Sequence, residues 1–282
     1  MSAETPHSKT PVMGTGLSGL VGSRIVDLLG DRYSFQNLDR TEGIDILNQE
    51  QIENIVANSA AKTMLHLAAF TDLNTAQKEA GDTSGIVYQV NVEGTRTIAA
   101  ACARHGVHLI HLSTGYVFDG EKNEPYTETD PTNPVDWYSE TKLKAEEVVT
   151  ELTSEATILR INFPYRQDEF PKADIWHKMA NALREGKTGP FFDDHFFTLT
   201  PIEWFADIVD WAITAKPAGI FHATTDTVYT DLSLATEIRD SLGLTQELTG
   251  SSVHTYNQTA ERPYAPSLIL SNEKLKAALK TS

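Results

Sequence analysis

Between a short apolar stretch, Val12 to Gly14, and an amphipathic run stands Thr15-Gly16-Leu17-Ser18-Gly19-Leu20-Val21-Gly22, three glycines at a spacing of three. In the run that follows, Leu20, Val21, Ile25, Val26, Leu28 and Leu29 recur at helical spacing until Gly30 stops it. A strand, a tight turn and a helix in that order commit the chain to a parallel crossover unit. Gly16 permits the turn, Gly19 lets an anion approach the backbone, and Gly22 lets the helix lie close to the sheet. Unpaired N–H groups at the helix start attract phosphate without any lysine. The segment Gly16, Leu17, Ser18, Gly19, Leu20 and Gly22 is therefore expected to cradle a dinucleotide, although such a turn also occurs as a plain structural connection.

The alternation continues. Strands are expected over Tyr33 to Leu38, Thr63 to Ala68, Val107 to Ser113 and Thr157 to Ile161. Helices are expected over Gln51 to Ala60, Val87 to His105 and Trp137 to Thr150. This is the α/β class, a doubly wound parallel sheet covered on both faces. Past Pro164 the rhythm loosens into helices at Phe170 to Glu185, Ile202 to Thr214, Leu232 to Leu242 and Asn272 to Leu279. Extended chain is expected at Phe191 to Leu199 and Gly219 to His222, and a loop or strand near Val253. The organisation read from this is a polar leader over residues 1–10, a nucleotide domain over 11–165, and a smaller substrate lobe over 166–282. Residues about 200–225 return from that lobe to the first domain.

The charge balance, 23 basic against 39 acidic residues for a net −16, argues against nucleic acid, whose binding needs clustered Lys and Arg. A lone Cys102 in an apolar run reads as core and fits a reducing compartment. Neither a signal peptide nor an 18-residue apolar span is visible, so no membrane contact and a cytoplasmic location are expected.

Asp39 follows the second strand, where a carboxylate accepts from adenosine ribose hydroxyls and favours NAD(H). Arg40 beside it suits a 2′-phosphate, which leaves NADP(H) open. Tyr138 and Lys142 sit one helical turn apart, a spacing at which the ammonium lowers the phenol's pKa toward use as a proton donor. Ser113 and Thr114 end a strand at the carboxyl edge of the sheet, where ligands bind. His105, His108 and His111 cannot converge on one metal, because Gly106 intervenes and strand neighbours at odd spacing face opposite ways. His195 with Asp193 and Asp194 reads as a solvated acidic turn. No metal site is expected.

In these stretches the chain resembles the extended short-chain dehydrogenase/reductase family, and within it most closely the dTDP-4-dehydrorhamnose reductase branch. The matching segments are Thr15 to Gly22, Leu67 to Asp72, Asn91 to Thr95, Ser113 to Gly120, Tyr126 to Asp130 with Pro134, Tyr138 to Lys142, Leu159-Arg160, Arg262-Pro263, Leu270 and Lys274-Leu275. The resemblance implies a Rossmann-type fold and an NAD(P)H-dependent reductase of a nucleotide-linked 4-keto-6-deoxy sugar. Thr114, Tyr138 and Lys142 would then be the catalytic hydroxyl, proton donor and lysine. Asp45 and Ile46 would face the adenine, Ala68, Ala69, Asn91 and Ser113 would line the cofactor, and Phe70, Thr71, Thr114, Phe163, Arg166 and Arg262 the substrate. Members of the family often form homodimers.

Two departures fall near the expected substrate pocket. Gly115 stands where the branch has aspartate, and Phe163-Pro164-Tyr165-Arg166 replaces Trp-Val-Tyr-Gly. Phe163 could stack on a sugar or base and Arg166 could meet a diphosphate. Trp137 precedes the tyrosine where a smaller residue is usual, and is read as packing. The family's magnesium-binding glutamates find no counterpart. Competing readings are an epimerase or dehydratase of the same fold, and a non-catalytic subunit like the regulatory partner of methionine adenosyltransferase. Gly115-Tyr116 lacks the acid a dehydratase places after its threonine.

Overall fold

The protein is described here over residues 8–281 by a computed structural model. Residues 1–7 of the expected leader lie outside the described residues, and its last residue, Thr10, already pairs with Tyr33. Strands β1 (Thr10–Thr15), β2 (Tyr33–Asn37), β3 (Thr63–His66), β4 (His108–Thr114) and β5 (Thr157–Ile161) form one parallel sheet. A later strand, β10 (Gly219–His222), completes it, in the order β10-β5-β4-β3-β1-β2. Every residue of β3 and β5 is buried, as a strand covered on both faces requires.

Alternation along each strand sorts the core into two layers. Val12, Leu65, Ile110 and Leu159 pack toward α1 (Leu20–Leu29) and α8 (Ile202–Ala215). Their neighbours Met13, Met64, Leu109 and Ile158 pack with Ile52 and Val56 of α2 (Gln49–Asn58), and with Ile98 and Cys102 of the fifth helix. Cys102 is buried as expected, and burial pushes its thiol up to about 12.

Several stretches differ from the sequence expectation. Asp72 caps a short α3 (Leu73–Lys78) that the polar sequence there hid. The helix expected over Val87 to His105 is interrupted: α4 (Ile86–Tyr88) runs into a π-turn over Gln89–Gly94 before α5 (Thr95–His105). Such a bulge rotates one residue out of the ordinary ladder, and here it sets Asn91 in the interior. Near Val253 the chain is helical, α10 (Val253–Asn257), because the Ser252 hydroxyl accepts from the Thr255 N–H and stops the chain from extending.

After α6 (Trp137–Leu152) and β5, the chain leaves the sheet through β6 (Pro164–Tyr165). The expected helix from Phe170 begins only at α7 (Ile175–Arg184), where Asp174 caps it. The expected strand Phe191 to Leu199 is split into β7 (Phe191–Phe192) and β8 (Phe196–Thr198). Strand β9 (Thr200–Pro201) pairs with β6, α8 crosses back, and β10 (Gly219–His222) joins β5. The chain then returns to the smaller lobe through β11 (Val228–Thr230), α9 (Asp231–Ser241), β12 (Gly250–Ser251), α10 and β13 (Ser267–Leu268). The last helix, α11 (Glu273–Leu279), lies against β10. A separate core of Leu183, Phe197, Leu199, Leu234, Ile238 and Leu268 fills that lobe.

Candidate active site

Sheet order reverses between β1 and β3, which opens a crevice at their carboxyl ends. The glycine turn fills that position. Gly16 has φ +72°, and a Cβ there would meet the Ala68 nitrogen at 2.6 Å. A Cβ on Gly22 would run into the Gly16 carbonyl and lie 2.6 Å from Leu17 Cα. Gly19 caps α1 with no side chain on the helix end, and no acidic residue occupies the first turn. The free N–H groups of that turn therefore face an opening suited to a phosphate.

Asp39 reaches this loop directly: its carboxylate accepts from the Gly16 N–H and, at 2.7 Å, from the Ser18 N–H. Arg40 is exposed beside it. Asp45 is exposed, with Oδ1 accepting from the Leu47 N–H at 3.0 Å, while Ile46 is buried against Gly94. Ala68 and Ala69 line the half-buried segment after β3. Asn91 holds that segment in place: its Oδ1 accepts from the Phe70 N–H at 2.7 Å, and its Nδ2 donates to the Phe70 carbonyl and to Thr141 Oγ1. With both ends of its amide engaged, Asn91 acts by shaping the loop rather than by offering groups to a ligand.

Thr114 ends β4, and Tyr138 and Lys142 stand one turn apart on α6, the helix that packs against that strand. Asp136 fixes the helix start by accepting from the Ser139 N–H at 2.8 Å, which sets Tyr138 in the first turn. The Tyr138 ring packs with Phe70, Val87 and Trp137. The expected lowering of its pKa is not what the structure gives. Burial, and then the Asp136 charge, hold the phenol above its ordinary value. Lys142 is itself buried, with Nζ donating to the Leu112 carbonyl at 2.8 Å, and burial pulls its amine down to about 8 against the opposing charge of Glu146. Thr114 Oγ1 accepts from the Tyr116 N–H at 3.2 Å and keeps its own hydrogen to donate.

Ser113, one residue earlier, faces the other side of the strand. Its hydroxyl donates to Glu146 Oε1 at 2.5 Å, so it joins a buried structural group instead of the cofactor face. Glu146 also takes a bidentate Arg160, at 2.9 and 2.7 Å. The sequence reading passed over this pair, although Glu146 lies one turn past Lys142 on the same helix face and was legible on that spacing.

The substrate side brings further corrections. Arg166 cannot offer itself to a diphosphate, because its guanidinium is 4% exposed and fully engaged. It forks onto Asp168 at 2.8 and 2.6 Å and donates to Ser23 Oγ and the Leu20 carbonyl. It thereby ties the smaller lobe to α1. Phe163, at φ +39°, lies among Tyr116, Phe197 and His195 with ring centroids 5.6, 4.5 and 6.0 Å away. Gly115 has a steric reason: a Cβ there would collide with Asn162 Oδ1, and Asn162 is held by the Leu268 carbonyl. Trp137 is buried and stacks on Tyr88 at 6.2 Å, as its packing reading requires. Arg262 lies over the Tyr264 ring and its Nη1 donates to Asp136 at 3.3 Å. Thr71 accepts from Lys172 of the smaller lobe at 2.6 Å.

The histidines part company. His105 pairs with Glu53 and His108 with Thr157, while His111 is fully buried beside His66. His66 bridges Thr15 and Thr95, and burial holds it neutral, at about 3. His195 is not in a solvated turn but buried, with Nδ1 2.6 Å from Asp231. Asp194 before it is engaged separately, accepting from Ser252 and from the Val253 N–H.

A family model described as RmlD substrate binding domain matches residues 10–282. A dTDP-4-dehydrorhamnose reductase of Streptomyces griseus is 31% identical over 85% of this chain and 78% of its own. One from Burkholderia thailandensis is 35% identical over 74% and 80%. The crystal structure of dTDP-4-dehydrorhamnose reductase from Bacillus anthracis in complex with NADP superimposes with a TM-score of 0.86 at 22% identity, covering 96% of this chain and 93% of that one.

Proposed function

The chain belongs to the RmlD substrate binding domain family, and from that premise we propose that it is an NAD(P)H-dependent reductase of a nucleotide-linked 4-keto-6-deoxy sugar, most simply dTDP-4-dehydrorhamnose. The observation that carries this reading is Thr114 at the carboxyl end of β4 with Tyr138 and Lys142 one turn apart on the helix packed against it, beside a glycine cradle that only small residues allow. Gly16, Leu17, Ser18, Gly19, Leu20 and Gly22 would hold the pyrophosphate, Asp39 the adenosine ribose, and Ala68 and Ala69 the cofactor's flank. A bound nicotinamide supplies the hydride. Asp39 supports NADH as the preferred donor, with Arg40 the adjacent cation for NADPH.

Reduction of a ketone leaves an alkoxide that must gain a proton. Tyr138, kept protonated by burial, donates it, and Thr114 hydrogen-bonds the same oxygen. The phenolate left behind is stabilised by the Lys142 ammonium one turn away, and solvent returns the proton. Residues 166–282, apart from the returning stretch, supply the substrate wall. Purified protein given a dTDP-4-keto-6-deoxy sugar should oxidise NADH or NADPH, read by absorbance. Absence of oxidation with either cofactor would overturn the assignment.

The lowered Lys142 pKa sets a pH limit. Below about 8 the amine is charged and supports the phenolate; above it the charge is lost. The kcat/KM profile should be level near neutrality and fall above pH of about 8, approaching tenfold per unit. A plateau extending past pH of about 10 would contradict this role.

A further inference from the structure

His195 lies between β7 and β8 with its side chain 2% exposed. Its Nδ1 stands 2.6 Å from Asp231 Oδ2, and because a carboxylate only accepts, Nδ1 carries the hydrogen, which makes Nε2 the acceptor nitrogen of the imidazole. Nε2 is buried and has no partner among the described residues. Nothing in the fold explains an acceptor left this way, since buried polar atoms are ordinarily answered.

The surroundings point to a ligand. His195 stands edge-on to Phe163 and Tyr264, with centroids 6.0 and 5.6 Å away. Phe163 leads to Tyr116, whose N–H is on Thr114; Tyr264 carries Arg262, which reaches Asp136 at the start of the Tyr138 helix. Arg262 Nε is likewise buried without a partner. A relay of contacts thus links Thr114 and the start of the Tyr138 helix to His195, through aromatic rings and two unanswered nitrogens. Aromatic walls with a few convergent polar groups are the composition of a small-molecule site.

We propose that His195 Nε2 accepts a hydrogen bond from an O–H or N–H group of the bound sugar nucleotide, with Asp231 fixing the imidazole in the accepting tautomer. This rests on the sugar-nucleotide reading above. A site built to pair a substrate hydroxyl or amide discriminates against ligands lacking it, so His195 is a specificity residue rather than a proton donor in the reaction.

The test is titration calorimetry of the full chain, saturated with NADPH, using dTDP and dTDP-glucose. His195→Phe should weaken binding about 10-fold. Gln sets a polar atom where Nε2 stands and Asn one where Nδ1 stands, so His195→Gln should bind within about threefold of the parent and His195→Asn about 10-fold more weakly. These two variants decide the question if the Phe variant does not fold. A purely structural histidine would show the reverse order, Asn preserving what Gln loses, and that order, or unchanged binding in all three, overturns the proposal. Loss with both ligands places the donor on the nucleoside, the thymine N–H or the deoxyribose hydroxyl, and loss with dTDP-glucose alone identifies a hydroxyl of the hexose. A parent chain that binds dTDP-glucose but oxidises no cofactor with the keto sugar sinks the reductase reading and leaves His195 standing. A parent that binds neither ligand sinks both.

Discussion

Tyr138→Phe should lower kcat by about 10²- to 10⁴-fold while leaving cofactor affinity within about twofold, because it deletes one hydroxyl and keeps the ring. The ring is what the fold uses: it packs among Phe70, Val87, Tyr88 and Trp137, and phenylalanine fills the same space. Cofactor oxidation gives the first quantity and fluorescence titration with NADH or NADPH the second. If turnover survived, the proton would have to come from another group on that wall, and Thr114 would be the first to examine. If cofactor affinity fell with turnover, the residue would be holding the cofactor rather than supplying the proton.

Gly22→Ala should raise the Kd for the cofactor by about 10- to 100-fold and cost about 1–3 kcal/mol of stability, the usual penalty for overpacking. The added methyl meets the Gly16 carbonyl and Leu17 Cα, both backbone, so the loop itself must move. Gly106→Ala is the control. Unlike Gly22 it has a positive φ, +63°, but no atom lies within 4 Å of its added Cβ, so it should lose about 1 kcal/mol from conformation alone and leave cofactor affinity unchanged. Calorimetric melting and cofactor titration of the two variants separate a damaged site from a weakened fold. Equal cofactor affinity in both would mean that the close approach at Gly22 does not shape the phosphate cradle.

Much of the sheet was legible because parallel strands buried on both faces leave short apolar runs, and β5 and β10 begin and end where those runs do. The smaller lobe was harder. Its strands are two or three residues long, too short for alternation to register, and Ser252 turns a stretch that reads as loop or strand into helix. In the site, glycine spacing and the Tyr138/Lys142 turn carry their geometry in the sequence. What surrounds an arginine or histidine does not: Arg166 meets Ser23, and His195 meets Asp231, across long separations that no local pattern encodes. The phenol's pKa went the same way. Spacing gave the cation's neighbourhood, but burial, a property of the whole fold, set the direction of the shift.

The position of β10 has a bearing on how the molecule is made. It pairs with β5 along Thr157 to Arg160, yet the smaller lobe's first helix and strands lie between the two in the chain. As the polypeptide leaves the ribosome, β5 emerges with one edge bare and stays so until Gly219–His222 has been synthesised. An open strand edge invites pairing with another chain. Nascent chains stalled between these two strands are thus the form most exposed to aggregation, and the stretch where a chaperone would have most to protect.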